Sequence, residues 1–150
     1  DAIVISDYDK GYINDDDLWH LCNNFNRPVF VDTKKRRLFH KDNVFWKINK
    51  KEYDLLDKDH LPNASHLIVT LGSAGAMWSG MKFLPQVVKV FDVCGAGDTF
   101  MAALVYEFLK TKNMQKSIDL ANRAAAISVT HPGAYYLNKN DIESLYGGGK

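Results

Sequence analysis

Short runs of β-branched and apolar residues recur along the first half of this chain, each bounded by polar turns. They are Ala2-Ile3-Val4-Ile5-Ser6, Val29-Phe30-Val31, Val44-Phe45-Trp46-Lys47-Ile48 and His66-Leu67-Ile68-Val69-Thr70. All are too short for helices, and none alternates strictly between apolar and polar residues. They therefore read as strands buried on both faces of a parallel sheet. Parallel strands need crossover connections. A helix is expected from about Asn14 to Asn26, with Asp15, Asp16 and Asp17 at its positive end. The basic stretch Lys34, Lys35, Arg36, Arg37 reads as a solvated loop before the third strand.

After the turn Gly72-Ser73-Ala74-Gly75 the texture changes. Ala76-Met77-Trp78 and Lys82-Phe83-Leu84 flank Ser79-Gly80-Met81 as a β-hairpin, and Val87 to Phe91 reads as continuing strand. The hairpin region is thus expected near residues 75–91. A loop from Asp92 to Gly97 precedes helical patterns from Asp98 to about Lys110 and from Met114 to about Thr130. A short helix near Asp141 to Tyr146 precedes Gly147-Gly148-Gly149. The whole reads as an α/β sandwich with a mainly parallel sheet.

At 150 residues, 46% hydrophobic and 25% charged, the chain has the composition of a globular domain; disorder, collagen and coiled coil are excluded. A net charge of +1 provides no field to gather nucleic acid or an anionic membrane, so neither is expected as a partner. No apolar run approaches the ~20 residues of a membrane helix. Cys22 and Cys94 have no metal-ligand spacing, and two cysteines make no disulfide scaffold, so a reducing, cytoplasmic setting is expected. The five histidines lack partners at ligand spacing and read as surface or packing residues. The opening Asp1, followed at once by a core-like strand, reads as the start of a fragment; a processed chain is the alternative.

The stretch richest in chemistry is Asp92-Val93-Cys94-Gly95-Ala96-Gly97-Asp98-Thr99-Phe100. Two glycines around one small residue permit a tight turn, and the following helix presents the free N–H groups of its first turn. Such donors, with the helix dipole, make a site for an anion. An acid beside a phosphate repels it, unless the acid takes a proton from the hydroxyl that attacks it. Taken alone, the Gly-Asp pair reads more readily with Asp98 as a helix cap.

This run resembles the GAGD-type motif of the ribokinase-like (PfkB) family of sugar kinases. The resemblance extends in family order. Asn49-Lys50-Lys51-Glu52 is similar to the NxxE motif associated with magnesium and phosphates. Val69-Thr70-Leu71-Gly72-Ser73-Ala74-Gly75-Ala76 is similar to the strand and turn along which the nucleotide lies. Ala121-Asn122-Arg123-Ala124-Ala125-Ala126 through Pro132-Gly133-Ala134 resembles the late helix and loop beside the adenine and a monovalent-cation site. At the front, Ser6-Asp7-Tyr8 with Lys10-Gly11, and Asp32-Thr33-Lys34, look like the SDYxKG and DPK stretches of heptose-7-phosphate kinases. Those are the kinase parts of bifunctional ADP-heptose synthases of lipopolysaccharide biosynthesis. Thr33 stands in place of the proline of DPK, Ile48 in place of the proline before the NxxE asparagine, and Cys94 where threonine is common.

The resemblance implies a ribokinase-like three-layer α/β/α fold, with residues 1–150 as its C-terminal, nucleotide-and-base part and the sugar-binding lid half lying elsewhere. It implies an ATP- and Mg²⁺-dependent phosphotransferase acting on a sugar or sugar phosphate hydroxyl, with K⁺ as a further cofactor and a homodimer among its partners. Asp98 would be the general base, and the N–H groups of Gly95, Ala96 and Gly97 the anion hole. Asn49 and Glu52 would order Mg²⁺ through waters. Thr70, Gly72, Gly75 and Asn122 would contact ATP, Asp92 would serve a monovalent cation, and Lys34 would offer charge to a phosphate.

Other readings of the same residues stand beside these. Asn49 and Glu52 taken alone are a solvated helix start, and Asn122 a helix residue bonded to a neighbouring loop. A fructokinase- or ribokinase-type substrate is the alternative within the family, and an inactive fragment or binding module the alternative outside catalysis. Asp7 and Asp9 match the DxD of haloacid-dehalogenase-like phosphatases, but Ala102 and Ala103 stand where that family needs a second metal-binding acid, which excludes it.

Overall fold

The structure, a computed structural model, describes residues 1–147. Gly148 and Gly149 of the expected glycine tail lie outside the described residues. Six strands form one sheet in sequence order: β1 (Ile3–Asp7), β2 (Val29–Thr33), β3 (Val44–Asn49), β4 (Leu67–Thr70), β5 (Ala76–Trp78) and β6 (Met81–Phe83). The first four are parallel and β5 runs antiparallel to β4, giving the mixed, mostly parallel sheet of an α/β protein. The helices are α1 (Asp15–Asn23), α2 (Lys50–Asp54), α3 (Ala96–Thr111), α4 (Met114–Ser128) and α5 (Lys139–Gly147). Among the described residues no helix is long and apolar enough to cross a membrane.

The chain divides into two compact units: residues 1–72 with 76–82, and residues 73–75 with those from 83 onward. In the first unit the β2 run Val29-Phe30-Val31 is wholly buried, as a strand flanked on both sides should be. Leu18 and Cys22 of α1 pack with Ile5, Val29, Val31, Trp46 and Ile48 on one face of the sheet. Phe30 and Ile68 alternate with those residues and are buried on the opposite face. Strand β1 departs from expectation. Val4 is 49% exposed and Ser6 is also exposed, so this strand is buried on one face only. It stands at the end of the sheet order, with one edge unpaired among the described residues.

Helix α1 ends three residues earlier than expected, its end gripped by Lys41, whose Nζ donates to the carbonyls of Cys22 and Asn23. The hairpin turn is the two residues Ser79-Gly80, both at positive φ (49° and 76°), and Met81 already belongs to β6. Two positive φ angles match a primed turn, whose twist suits the flanking strands.

Val87 to Phe91 is not a strand, and the hairpin region ends at Phe83 rather than near residue 91. Val87 is 96% and Phe91 71% exposed. The N–H groups of Phe91 and Asp92 both donate to the carbonyl of Val129, at the end of α4, instead of to a strand edge. β-Branched composition supplies strand propensity but no pairing partner.

In the second unit α3 and α4 pack side by side, burying Phe100, Met101, Leu104 and Val105 from one and Ile118, Leu120, Ala121 and Ala124 from the other. Leu145 of α5 joins Leu120 and Ala124.

Candidate active site

In the first unit, Asp7, Thr33, Asn49 and Thr70 are the last residues of the four parallel strands. Register sets Asp7 beside Thr33 and Asn49 beside Thr70. The carboxyl edge of a parallel sheet is where open α/β proteins place their ligands.

Asn49 and Glu52 are together, but they hold each other. The Glu52 N–H donates to Asn49 Oδ1 at 3.0 Å and the Asn49 N–H donates to Glu52 Oε2 at 2.8 Å, a reciprocal capping box that starts α2. Glu52 Oε1 has no partner among the described residues and remains available to the water of a hydrated metal. No three acidic, histidine or cysteine side chains among the described residues converge as a direct metal cage. The pair therefore fits a magnesium ion held through water and not one ligated directly. Thr70 Oγ1 donates to the Ile48 carbonyl across the strand pair. Gly72 follows at φ +59°, a conformation that tightens the chain leaving β4.

The neighbouring strand ends carry groups whose roles were not legible. Buried Asp7 accepts the Thr33 hydroxyl at 3.0 Å, and Thr33 Oγ1 in turn accepts the Lys35 N–H. Proline at position 33 could not donate, so this network belongs to the threonine. Lys35 is not solvated: its ammonium lies 3.0, 3.6 and 3.9 Å from Asp15, Asp9 and Asp7, with the side chain 9% exposed. Burial pulls its pKa down, but the hydrogen bond to Asp15 and the three negative charges outweigh this and hold it above its ordinary value. Asp7 is thereby committed within the fold, unlike the nucleophile of a DxD phosphatase. Lys34 is exposed, its ammonium 5.4 Å from the Tyr8 ring centroid.

In the second unit Gly95 is the N-cap residue of α3, at φ +73°, with no side chain closing the helix end. Asp98 is the third helical residue and caps nothing; its exposed carboxylate has no hydrogen-bond or ion-pair partner among the described residues. The Ala96 N–H donates to the Val93 carbonyl at 3.3 Å. Among the described residues the N–H groups of Gly95, Gly97 and Asp98 have no acceptor in the protein. Of the three amides expected as a cradle, that of Ala96 is thus engaged within the loop, while those of Gly95 and Gly97, and that of Asp98 beside them, have no acceptor among the described residues. Any helix leaves its first N–H groups unpaired, which is the signal that pointed here. Asp98 and Gly95 line a cavity of about 620 Å³, walled by Ala102 and Tyr106 of α3, Tyr135, and Tyr146 of α5.

Asp92 lies in the loop before this cradle. Its carboxylate accepts the N–H of Cys94 and of Gly133, each at 2.9 Å, and these bonds hold its pKa below the usual carboxylate range. Each oxygen thus already serves a backbone amide. The carboxylate anchors the loop, and each oxygen keeps a further lone pair with which it could serve a monovalent cation. Asn122 is 5% exposed and donates Nδ2 to the Phe83 carbonyl at 3.1 Å, tying α4 to the end of β6. Gly75, at φ +88°, abuts that same carbonyl oxygen. Cys94 is exposed and Cys22 buried, both as free thiols.

The chain is similar to known proteins in both sequence and fold. The model of the pfkB family carbohydrate kinases matches residues 43–141, more than half of the chain. The bifunctional protein HldE of a Nitratiruptor species is 33% identical over 162 residues, covering 95% of this chain and 35% of the relative. HldE of Sulfurimonas denitrificans is 31% identical, again covering 95% of this chain and 35% of its own length. The chain thus spans about a third of the length of these relatives. Among solved structures, ribokinase from Thermotoga maritima superposes with a TM-score of 0.73 at 23% identity, over 98% of this chain and 57% of that one. Phosphofructokinase-2 from Escherichia coli, in complex with potassium, gives 0.73 at 18% identity, over 97% and 56%. These structures share the fold, and the matched sequence model assigns the lineage: the chain belongs to the pfkB family of carbohydrate kinases.

Proposed function

We propose that this chain is the nucleotide-and-base part of a kinase that transfers the terminal phosphoryl group of ATP to a hydroxyl of a sugar or sugar phosphate. The observation that carries this reading is the exposed, unpartnered Asp98 carboxylate beside three free amides at the head of α3. Asp98 accepts the proton of the acceptor hydroxyl; the resulting oxygen bonds to the γ-phosphorus as the bond to the β-phosphate oxygen breaks, releasing ADP. The N–H groups of Gly95, Gly97 and Asp98 receive the charge that spreads over the transferring oxygens. Glu52, held in place by Asn49, would use Oε1 to hold Mg²⁺ through its water shell, and the ion would supply charge neutralisation for the phosphates. Thr70, Gly72 and Gly75 shape the strand end and turn for the nucleotide. Asn122 supports the same region by fixing Phe83.

The Ser6-Asp7-Tyr8 and Asp32-Thr33-Lys34 stretches favour heptose 7-phosphate as acceptor, in line with the HldE relatives. Ribose or fructose is the alternative, because this chain corresponds to only 35% of such a relative and the part that selects the sugar is not within it.

The test is Asp98→Asn, assayed with heptose 7-phosphate, ribose and fructose beside the unaltered protein. Loss of a general base lowers kcat by about 10²–10⁴-fold while the KM for ATP stays within about threefold. An Asp98→Asn protein working at full rate overturns the assignment of the base.

A further inference from the structure

Lys35 gathers three carboxylates at the carboxyl edge of the sheet. Its ammonium lies 3.0 Å from Asp15, 3.6 Å from Asp9 and 3.9 Å from Asp7, and its side chain is only 9% exposed. The three acids bracket one loop: Asp7 ends β1, Asp9 lies within residues 8–14, and Asp15 opens α1. One ammonium therefore ties the start, the body and the far end of that loop to the segment leaving β2. Smaller bonds complete the tie. Thr33 Oγ1 donates to Asp7 and accepts the Lys35 N–H, while Asp7 Oδ1 accepts the Asp9 N–H at 3.0 Å. From the same loop Ile13 packs against the core.

Neither of the resembling stretches supplies this network. Asp9 fills the open position of SDYxKG, Thr33 replaces the proline of DPK, and Lys35 and Asp15 lie outside both. An exposed lysine contributes little through an ion pair. Lys35 differs because it is buried, and because three negative charges would converge and repel without it. The restrained loop carries Tyr8, Lys10 and Tyr12, all exposed. Lys34, beside Lys35 in the chain, faces solvent instead. It pairs with no carboxylate among the described residues, and its ammonium stands 5.4 Å from the Tyr8 ring centroid.

We propose that Lys35 is a positioning residue for the acceptor: by gathering Asp7, Asp9 and Asp15 it fixes loop 8–14 against the end of β2, and so sets Lys34 and Tyr8 together where the anionic group of a sugar phosphate docks. This role rests on the kinase reading above and deepens its acceptor side. The phosphate already on the sugar is not the group transferred, so its charge is the same before and during transfer. Contacts to it are uniform binding, which sets KM for the acceptor and leaves kcat nearly unmoved.

The experiment compares Lys35→Met and Lys35→Arg with the unaltered protein by amide hydrogen exchange and by steady-state kinetics with ATP and heptose 7-phosphate. Exchange in β3 and β4 checks that each variant is folded. Asp15→Asn, which removes one partner at the surface, takes the place of Lys35→Met if that variant fails the check. For Lys35→Met, exchange across loop 8–14 quickens about tenfold, the worth of one charge-assisted contact. The KM for heptose 7-phosphate rises about tenfold, while kcat and the KM for ATP each change less than about threefold. Lys35→Arg keeps the charge and recovers most of both effects. Unchanged exchange in the loop overturns the tie. Faster exchange with an unchanged acceptor KM, or an equal rise in the KM for ATP, overturns the positioning role. If the unaltered protein phosphorylates ribose or fructose but not heptose 7-phosphate, this role falls while the kinase reading stands. If it transfers phosphate to none of them, the kinase reading falls and takes this role with it.

Discussion

Single residues set this chain's tolerances at points where backbone meets backbone. At Gly75 the chain adopts φ +88°, and an added Cβ would overlap the carbonyl oxygen of Phe83. That oxygen is also the acceptor for the buried Asn122 amide, so it cannot retreat without stranding a donor. Gly75→Ala is accordingly expected to cost about 3 kcal/mol or more, from positive-φ strain and a clash with backbone. Gly72→Ala faces open space at φ +59° and carries only the conformational cost, about 1 kcal/mol. Chemical denaturation of the two variants checks the difference; equal losses would show that the Phe83 contact is not the cause. The glycines of this turn were legible as turn residues. Which one is sterically obligatory was not, because that depends on a carbonyl several residues away. Lys35 follows the same logic. A run of four basic residues reads as solvated, and only the convergence of Asp7, Asp9 and Asp15 turns one of them inward.

At the scale of elements, two-sided burial was read correctly for a strand that has a neighbouring strand on each side. β2 is covered on both faces and looks so in sequence; β1 carries the same kind of apolar run yet exposes Val4. Composition reports what a strand can bury, not what the sheet order offers it. Val87 to Phe91 makes the point more sharply, since its β-branched residues found no edge and remained exposed. The helix starts were more legible, because a cap is a local event: Asn14 with Asp17 and Asn49 with Glu52 both close reciprocal boxes. That locality also separates two roles at Glu52. Glutamine caps nearly as well as glutamate, so Glu52→Gln should leave stability within about 0.5 kcal/mol. If Oε1 also orients a magnesium-bound water, loss of the charge weakens Mg-ATP binding about tenfold, as loss of an outer-shell partner does. Calorimetric titration with Mg-ATP checks this; an unaltered affinity leaves Glu52 as a cap alone.

For the molecule as a whole, two groups whose pKa folding raises fix how it meets alkali: Cys22, wholly buried, and Tyr146, which stays 43% exposed and contributes less. Burial pushes the Cys22 thiol up to about 11, only partly offset by nearby Lys41. Burial likewise raises the Tyr146 phenol, to about 12, helped by its hydrogen bond to Glu107 and that residue's charge. Both groups are neutral when protonated and hold their proton more tightly folded than unfolded. Their contribution to stability is therefore complete below the unfolded values, near 9.0 and 10.0, and drains away as pH climbs toward 11 and 12. Stability should accordingly fall from about pH 9 upward, first through Cys22 in the sheet unit and then through Tyr146 on α5. The thiols give the first step its signature. At pH 8 a disulfide reagent should titrate exposed Cys94 in the native protein and reach wholly buried Cys22 only on unfolding. Cys22→Ala should then delay the onset of the alkaline fall measured by denaturation, though it also leaves a cavity that lowers stability at every pH. An onset that stays at the same pH in Cys22→Ala would assign the limb to other groups. Asp92 works in the opposite sense at the acid end. Its carboxyl is held below the usual range by the Cys94 and Gly133 amides, so its contribution is present at neutral pH and is lost as pH falls through that lowered value.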